Sequence, residues 1–218
     1  MKTINLFGSA GAGKSTTAAG LFYEMKRHWI EAEYIQEYAK ELIWADSAHM
    51  LSEQNYIFAE QEHRLNRLRK KVAIAIADSP LLLSSFYAPD AYPEAFHQSV
   101  FHFFESYNNI NIFVKRSHEY SLSGRMQNSD ESDYVAQEMQ RFLTDNGISF
   151  WSITASDASP RRLLTWLVEE HGLELPNGMT LEKEYGPAGW LDYHQASTVW
   201  FPERKISRAN LSGIRTVG

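Results

Sequence analysis

Four small residues, Ser9, Ala10, Gly11 and Ala12, separate Gly8 from Gly13, and Lys14, Ser15 and Thr16 follow directly. Glycines at 8, 11 and 13 let the backbone approach an anion closely and adopt dihedral angles that other residues resist. Their N–H groups then converge on phosphate oxygens, backed by the positive end of the next helix. A lysine at position 14 reaches the β- and γ-phosphates of a nucleoside triphosphate, and a serine hydroxyl at 15 suits Mg²⁺. The apolar run before this stretch and the helical pattern after it argue against a chance glycine-rich turn. A second group with metal chemistry is Asp78, which ends the all-apolar run VAIAIA at 72–77. A carboxylate there holds Mg²⁺ directly or through water. With Pro80 two residues on, it would also serve as a helix N-cap.

These groups need elements to position them. Short apolar runs predict strands over 3–7, 33–35, 72–77, 110–114 and 148–153. Periodic stretches between them predict helices over 15–28, 37–45, 52–71, 91–107, 130–146 and 159–171, with Gly147 as a helix stop and Ser159-Pro160 as a helix start. Residues 116–129 are polar and contain glycine, and predict a loop or lid. Regular alternation of strand and helix means a parallel sheet covered on both faces. Ligands of such sheets bind beyond the carboxyl ends of the strands. Gly8, Glu37, Asp78, Lys115 and Thr154 all lie at those ends and are expected on one edge. After residue 171 the texture changes. Pro176, Gly178, Pro187, Gly189 and Pro202 interrupt every pattern, so 1–171 is expected to be the α/β domain and 172–218 an irregular aromatic and basic extension.

The totals set bounds. A chain of 218 residues is ample for one α/β core. The net charge of −6 disfavours a globally basic nucleic-acid binder. The absence of cysteine excludes disulfides, thiolate metal sites and cysteine nucleophiles. No apolar run approaches the roughly 18 residues a membrane span needs, and the N-terminus has no targeting pattern. A soluble, cytoplasmic protein without membrane contact is expected. His49, His97, His102 and His118 show no metal-ligand spacing, so no zinc site is expected.

The phosphate loop, QEYAKEL at 36–42, IADSP at 76–80 and NIFVKRSHEYSLSGRMQ at 111–127 occur in this order. Together they resemble the nicotinamide-ribonucleoside-kinase-like group of P-loop kinases. They are still more similar to small P-loop proteins carried by many bacteriophages and known chiefly as ATP-binding. The likeness spans roughly residues 1–171. It implies a three-layer P-loop NTPase or nucleotide-kinase fold with a five-stranded parallel sheet, ATP and Mg²⁺ as cofactors, and, for a phage protein, the host cytoplasm.

The resemblance also assigns roles by position. Glu37 faces the acceptor, orienting a hydroxyl and taking its proton late in transfer; a first-turn glutamate is also favourable for dipole reasons alone. Tyr38 beside it would stack on a ring or simply pack. Arg116 and Arg125, the latter in the Gly124-Arg125 pair, would close over the transferring phosphoryl group, with Lys115 a weaker candidate. Thr154-Ala155-Ser156-Asp157 would border the nucleotide base, with Ala155 and Asp157 as contacts. On the helix after the Glu37 region, Gln61 is the best polar contact for the acceptor, ahead of Gln54, His63 and Arg64.

The acceptor implied is a nucleoside, a nucleotide or a similar small metabolite. Arg204, Lys205, Arg208 and Arg215 stand near aromatics against one acid, Glu203. They allow a second acceptor class, a hydroxymethylated pyrimidine within phage DNA. The alternative for this tail is packing on its own domain or on a second copy in a homodimer. A P-loop ATPase or nucleotide sensor working through partners is the rival class. Such proteins usually carry a glutamate beside the metal-binding aspartate, where this chain has Ser79.

Overall fold

Thr3 and Asn5 are polar, yet they are as buried in the first strand as Ile4 and Leu6. Asn5 is tolerated because its amide finds partners on the neighbouring strand, whereas the buried Thr3 hydroxyl has none among the described residues. The Asn5 side-chain amide donates to Asn109 at 2.9 Å and to Asn111 at 3.0 Å on the neighbouring strand. Both these partners are asparagines, and Asn111 donates in turn to the Ser149 carbonyl. Buried amides so paired cost little.

The computed structural model describes residues 1–117, 129–176, 179–181, 190–196, 206–209 and 211. In chain order the elements are β1 (Lys2–Phe7), α1 (Lys14–Arg27), β2 (Ala32–Ile35) and α2 (Tyr38–Trp44). A 3-10 turn (Ala48–Ser52), α3 (Gln54–Asn66), β3 (Ile74–Ala77) and α4 (Leu82–Tyr87) follow. Then come α5 (Glu94–Glu105), β4 (Asn108–Lys115), α6 (Ser129–Asp145), β5 (Phe150–Thr154), α7 (Ser159–Glu170) and β6 (Leu191–His194). The sheet order is β2-β3-β1-β4-β5-β6. The first five strands are parallel and β6 is antiparallel to β5.

Apolar layers cover both faces of the sheet. On one, Ile4, Leu6, Ile76, Ile112 and Ile153 pack against Leu21 and Met25 of α1 and Leu163 and Leu164 of α7. On the other, Phe7, Ala75, Phe113 and Phe150 pack against Leu65 of α3, Phe86 of α4, Phe101 of α5 and Phe142 of α6. The three-layer α/β arrangement and the five parallel strands match the expectation. Gly147, at φ 76°, ends α6, with the Ile148 N–H returned to the Leu143 carbonyl at 2.9 Å. No helix among the described residues is long and apolar enough to cross a membrane.

Several elements depart from the periodic reading. The long helix expected over 52–71 is a 3-10 turn followed by α3 and a chain reversal in which Lys70 has φ 62°. The helix expected from residue 91 starts at Glu94, because Pro93 is extended at ψ 150°. Leu82–Tyr87 forms α4 with five of its six residues buried. A run buried on every side has no polar face, so it lacks the amphipathic signal that reveals a helix.

The extension contributes β6. Phe150 stands opposite His194, and the two rings stack at 4.7 Å. The Ser152 hydroxyl lies 3.0 Å from His194 Nε2. Ile206 is buried in the α3–α6 layer, and Ser207 exchanges two hydrogen bonds of 2.9 Å with the Asn146 side chain. Arg208 donates to the carbonyls of Asp90 and Tyr92 and pairs with Glu94 at 3.4 Å. The described parts of the extension therefore lie against the α/β core.

Candidate active site

The parallel register aligns the carboxyl ends of the strands. Ile35 is level with Ala77, Phe7 with Phe113, and Lys115 with Thr154. The segments that follow these strands therefore meet on one edge. Each predicted position at a strand end is there.

The phosphate loop leaves β1 at Gly8, where φ is 140°. A Cβ there would stand 2.6 Å from the Val114 carbonyl oxygen of β4, so only glycine lets the loop lie this close to the sheet. Gly11 and Gly13 also have positive φ, 77° and 93°, and Gly13 is the N-cap of α1. Ser9 and Ala12 are buried, Thr16 is exposed, and Lys14 Nζ donates to the Ser9 carbonyl at 3.0 Å. The lysine thus lies across its own loop. The loop is also braced from α6. The buried Ser132 hydroxyl is 2.8 Å from the Ala10 carbonyl and 2.9 Å from the Ser9 hydroxyl.

Asp78 follows β3, with its N–H bonded to the Ile35 carbonyl at 3.1 Å. Only 2 % of the residue is exposed. Its Oδ2 accepts from the Tyr34 hydroxyl at 3.0 Å, while Oδ1 is buried and has no hydrogen-bond partner among the described residues. An unpaired buried carboxylate oxygen beside a phosphate loop fits a Mg²⁺ ion or one of its waters. Ser15, in the first turn of α1, interacts with the same Tyr34 hydroxyl. The tyrosine therefore sits among both candidate metal ligands. Burial pushes its phenol well above the ordinary range, and the Asp78 charge adds to this.

Glu37 is the half-buried N-cap of α2. Burial pushes its carboxyl up from the ordinary glutamate value. Lys14 pulls it down, Asp78 pushes it up, and Lys40 pulls it down more weakly. Lys14, Asp78 and Glu37 therefore share one electrostatic neighbourhood. Tyr87, at the end of α4, belongs to it too, its phenol raised by burial and by Glu37.

Gln61 is 3 % exposed, and both its polar atoms are engaged. Oε1 accepts from the Tyr38 N–H and Nε2 donates to the Gln36 carbonyl, each at 3.3 Å. It clasps the backbone on either side of Glu37. Tyr38 packs edge-on to Tyr56, their hydroxyls 2.7 Å apart, and carries the Arg64 guanidinium 4.7 Å from its ring centre. Arg64 makes a two-pronged pair with Glu41 at 2.6 and 2.8 Å. Gln54 donates to the Leu51 carbonyl, and His63 is exposed.

At the other end of the edge, Arg116 donates to Asp133 of α6 at 2.5 Å, and Lys115 pairs with Asp192 of β6 at 3.3 Å. Arg125, Gly124, His118, Arg204, Lys205 and Arg215 lie outside the described residues. A pocket of about 490 Å³ opens over the segment after β5, lined by Ser117, Thr154, Ala155, Asp157, Arg162 and Trp190 among others. It adjoins the phosphate loop, since a Cβ on Gly13 would stand 3.0 Å from that of Ala155.

Sequence reasoning did not single out Tyr34, Tyr87, Ser132, Arg162 or Trp190. Tyr34 had one weak signal, an aromatic in a strand that ends two residues before Glu37. The others carried none, because only packing brings them to this edge.

A family model described as an AAA domain matches residues 3–161. No curated protein matches the chain. Among solved structures, deoxyadenosine kinase from M. mycoides with products dCMP and a flexible dCDP bound is similar at 16 % identity. That match covers 77 % of this chain and 99 % of the other, with a TM-score of 0.46. The same enzyme with bound dCTP matches at 16 % identity over 77 % and 98 %, TM-score 0.46. With bound dATP it matches at 20 % over 52 % and 64 %, TM-score 0.31. The family match runs from β1 into the first turn of α7 and takes in the phosphate loop, Asp78 and all five parallel strands; the chain belongs to the AAA domain family.

Proposed function

We propose that the protein is an ATP- and Mg²⁺-dependent phosphotransferase acting on a hydroxyl or phosphate of a nucleoside- or nucleotide-like small molecule. The observation that carries this reading is the convergence of the phosphate loop, Lys14, Asp78 and a half-buried Glu37 on one sheet edge. A nucleotide needs the first three of these. The acceptor-facing carboxylate is what a transferase needs in addition.

The loop 8–16 would grip the phosphates through its backbone N–H groups, with Lys14 exchanging the Ser9 carbonyl for a phosphate oxygen. Ser15 and Asp78 would hold Mg²⁺, which when bound neutralises charge on the phosphate oxygens. Ala155 and Asp157 would border the base in the pocket beyond Gly13. Glu37 would orient the acceptor. As the acceptor oxygen bonds to the γ-phosphorus, the bond from that phosphorus to the β-γ bridging oxygen breaks and ADP leaves. The acceptor proton passes to the Glu37 carboxylate. Arg116, entering the lid segment, would stabilise charge on the equatorial oxygens after leaving Asp133, and Arg125 is proposed for the same task. Tyr38 would flank the acceptor.

Ser79 after Asp78 supports transfer over partner-driven hydrolysis, since no glutamate stands there to polarise water. The test is transfer of label from γ-labelled ATP with Mg²⁺ to nucleosides, nucleoside monophosphates, nicotinamide riboside and hydroxymethyluracil-containing DNA, with Lys14→Ala as control. Label on one small acceptor, abolished in the control, is the expected result. Label on DNA would move the acceptor assignment to a hydroxymethylated base and give the basic tail a role. Label released only as phosphate, or transfer undiminished in Lys14→Ala, would overturn the reading.

A further inference from the structure

Tyr34 is absent from the roles assigned above, yet its hydroxyl occupies the corner where the two candidate metal ligands meet. We propose that Tyr34 is a positioning residue for the divalent cation: by donating to Asp78 Oδ2 at 3.0 Å it fixes the carboxylate so that the buried, unpartnered Oδ1 is presented to the metal. This rests on the assignment of Asp78 and Ser15 as metal ligands.

The backbone makes the pairing rigid. In the β2–β3 ladder Tyr34 is level with Ile76 and Ile35 with Ala77, and the Asp78 N–H is bonded to the Ile35 carbonyl. The Tyr34 and Asp78 side chains therefore leave adjacent strands at a set separation. The Tyr34 ring is steadied from the other side by Phe22 of α1, the helix that begins with Lys14 and Ser15, at 6.4 Å between ring centres.

A carboxylate with both oxygens free can rotate and bind a cation through either one. With Oδ2 engaged by the Tyr34 hydroxyl, rotation of the carboxylate is restrained and Oδ1 is the oxygen left without a partner among the described residues. Leaving Oδ1 buried and unpaired is costly, and a cation or its bound water relieves that cost. The Ser15 side chain also interacts with the Tyr34 hydroxyl. One tyrosine hydroxyl therefore fixes the Asp78 carboxylate and lies beside Ser15 before any metal arrives. Groups that orient a metal ligand in this way usually matter by about 10–100-fold in metal affinity.

The experiment titrates free Mg²⁺ against binding of a fluorescent ATP analogue by the full-length wild-type, Tyr34→Phe, Tyr34→Leu and Asp78→Asn proteins. It requires no turnover. Removing the hydroxyl should raise the Mg²⁺ concentration for half-maximal effect about 10-fold, while nucleotide affinity in EDTA stays as in wild type. Thermal melting checks that the variants fold, and the leucine variant carries the test should the phenylalanine variant not fold. An unshifted Mg²⁺ requirement in a folded Tyr34 variant, with Asp78→Asn shifted, overturns the role of Tyr34 alone. An unshifted requirement in Asp78→Asn overturns the metal assignment itself, and the Tyr34 role with it.

Discussion

Gln61 offers a sharp test, because its type suggests one role and its surroundings another. A buried glutamine on a helix beside the acceptor region suits a substrate contact. Its hydrogen bonds run instead to the Tyr38 N–H and the Gln36 carbonyl, both at 3.3 Å, on either side of Glu37. Gln61→Leu keeps the bulk and removes both bonds. Each neutral bond is worth about 0.5–1.5 kcal/mol. Both are long, and Gln36 is exposed enough for water to take over its carbonyl. The loss should therefore be about 1–2 kcal/mol, a fall in melting temperature of roughly 2–8 °C for a chain of this size.

The catalytic consequence follows from the same geometry. A Glu37 turn freed to shift by about 1 Å costs up to about 100-fold in the chemical step. Steady-state kinetics with the acceptor found in the transfer assay should show kcat falling at least about fivefold, with the acceptor KM nearly unchanged. A raised KM with unchanged kcat would refute the positioning argument and make Gln61 a reader of the acceptor. An unchanged melting temperature would refute the energetic part.

Glu37→Gln should lower kcat about 100-fold with nucleotide affinity kept, measured by kinetics and by equilibrium binding. Wild-type kcat should show an acid limb above the ordinary glutamate range, because burial raises this carboxyl, and the limb should vanish in the variant. Stability has a definite sign. Between the unfolded value and the raised native one the native state holds a proton that the unfolded chain has lost, so stability falls as pH rises through that window. Melting curves should therefore show Glu37→Gln gaining on wild type at pH 8 and little at pH 4, and the reverse order would refute the burial argument. Gly8→Ala places a Cβ 2.6 Å from the Val114 carbonyl at φ 140°. It should cost at least about 1–3 kcal/mol and abolish nucleotide binding, and retained binding in calorimetry would refute the close-approach argument.

The sheet and its phosphate loop were legible because their signals are local. An apolar run, a glycine spacing and a helical period each concern neighbours in the chain. The ends of β1 to β5 could be placed for that reason, and with them Gly8, Glu37, Asp78 and the segment after Thr154. α4 escaped because a helix buried all round has no periodicity to read. β6 escaped because four residues, LDYH, alternate too weakly to mark a strand. Pairing with β5 is what makes them one.

By itself the sequence determined the order of elements, the phosphate grip at 8–16 and a carboxylate after the β3 run. These follow from bonded spacing and the burial of apolar side chains, which act residue by residue along the chain. Tertiary structure alone decided that Tyr34 meets Asp78, that Ser132 of α6 braces the loop at Ser9 and Ala10, and that Gln61 of α3 clasps the turn at Glu37. Each is a hydrogen bond between distant elements. Its existence depends on strand register and helix packing to within a fraction of an ångström, and no spacing along the chain encodes that distance.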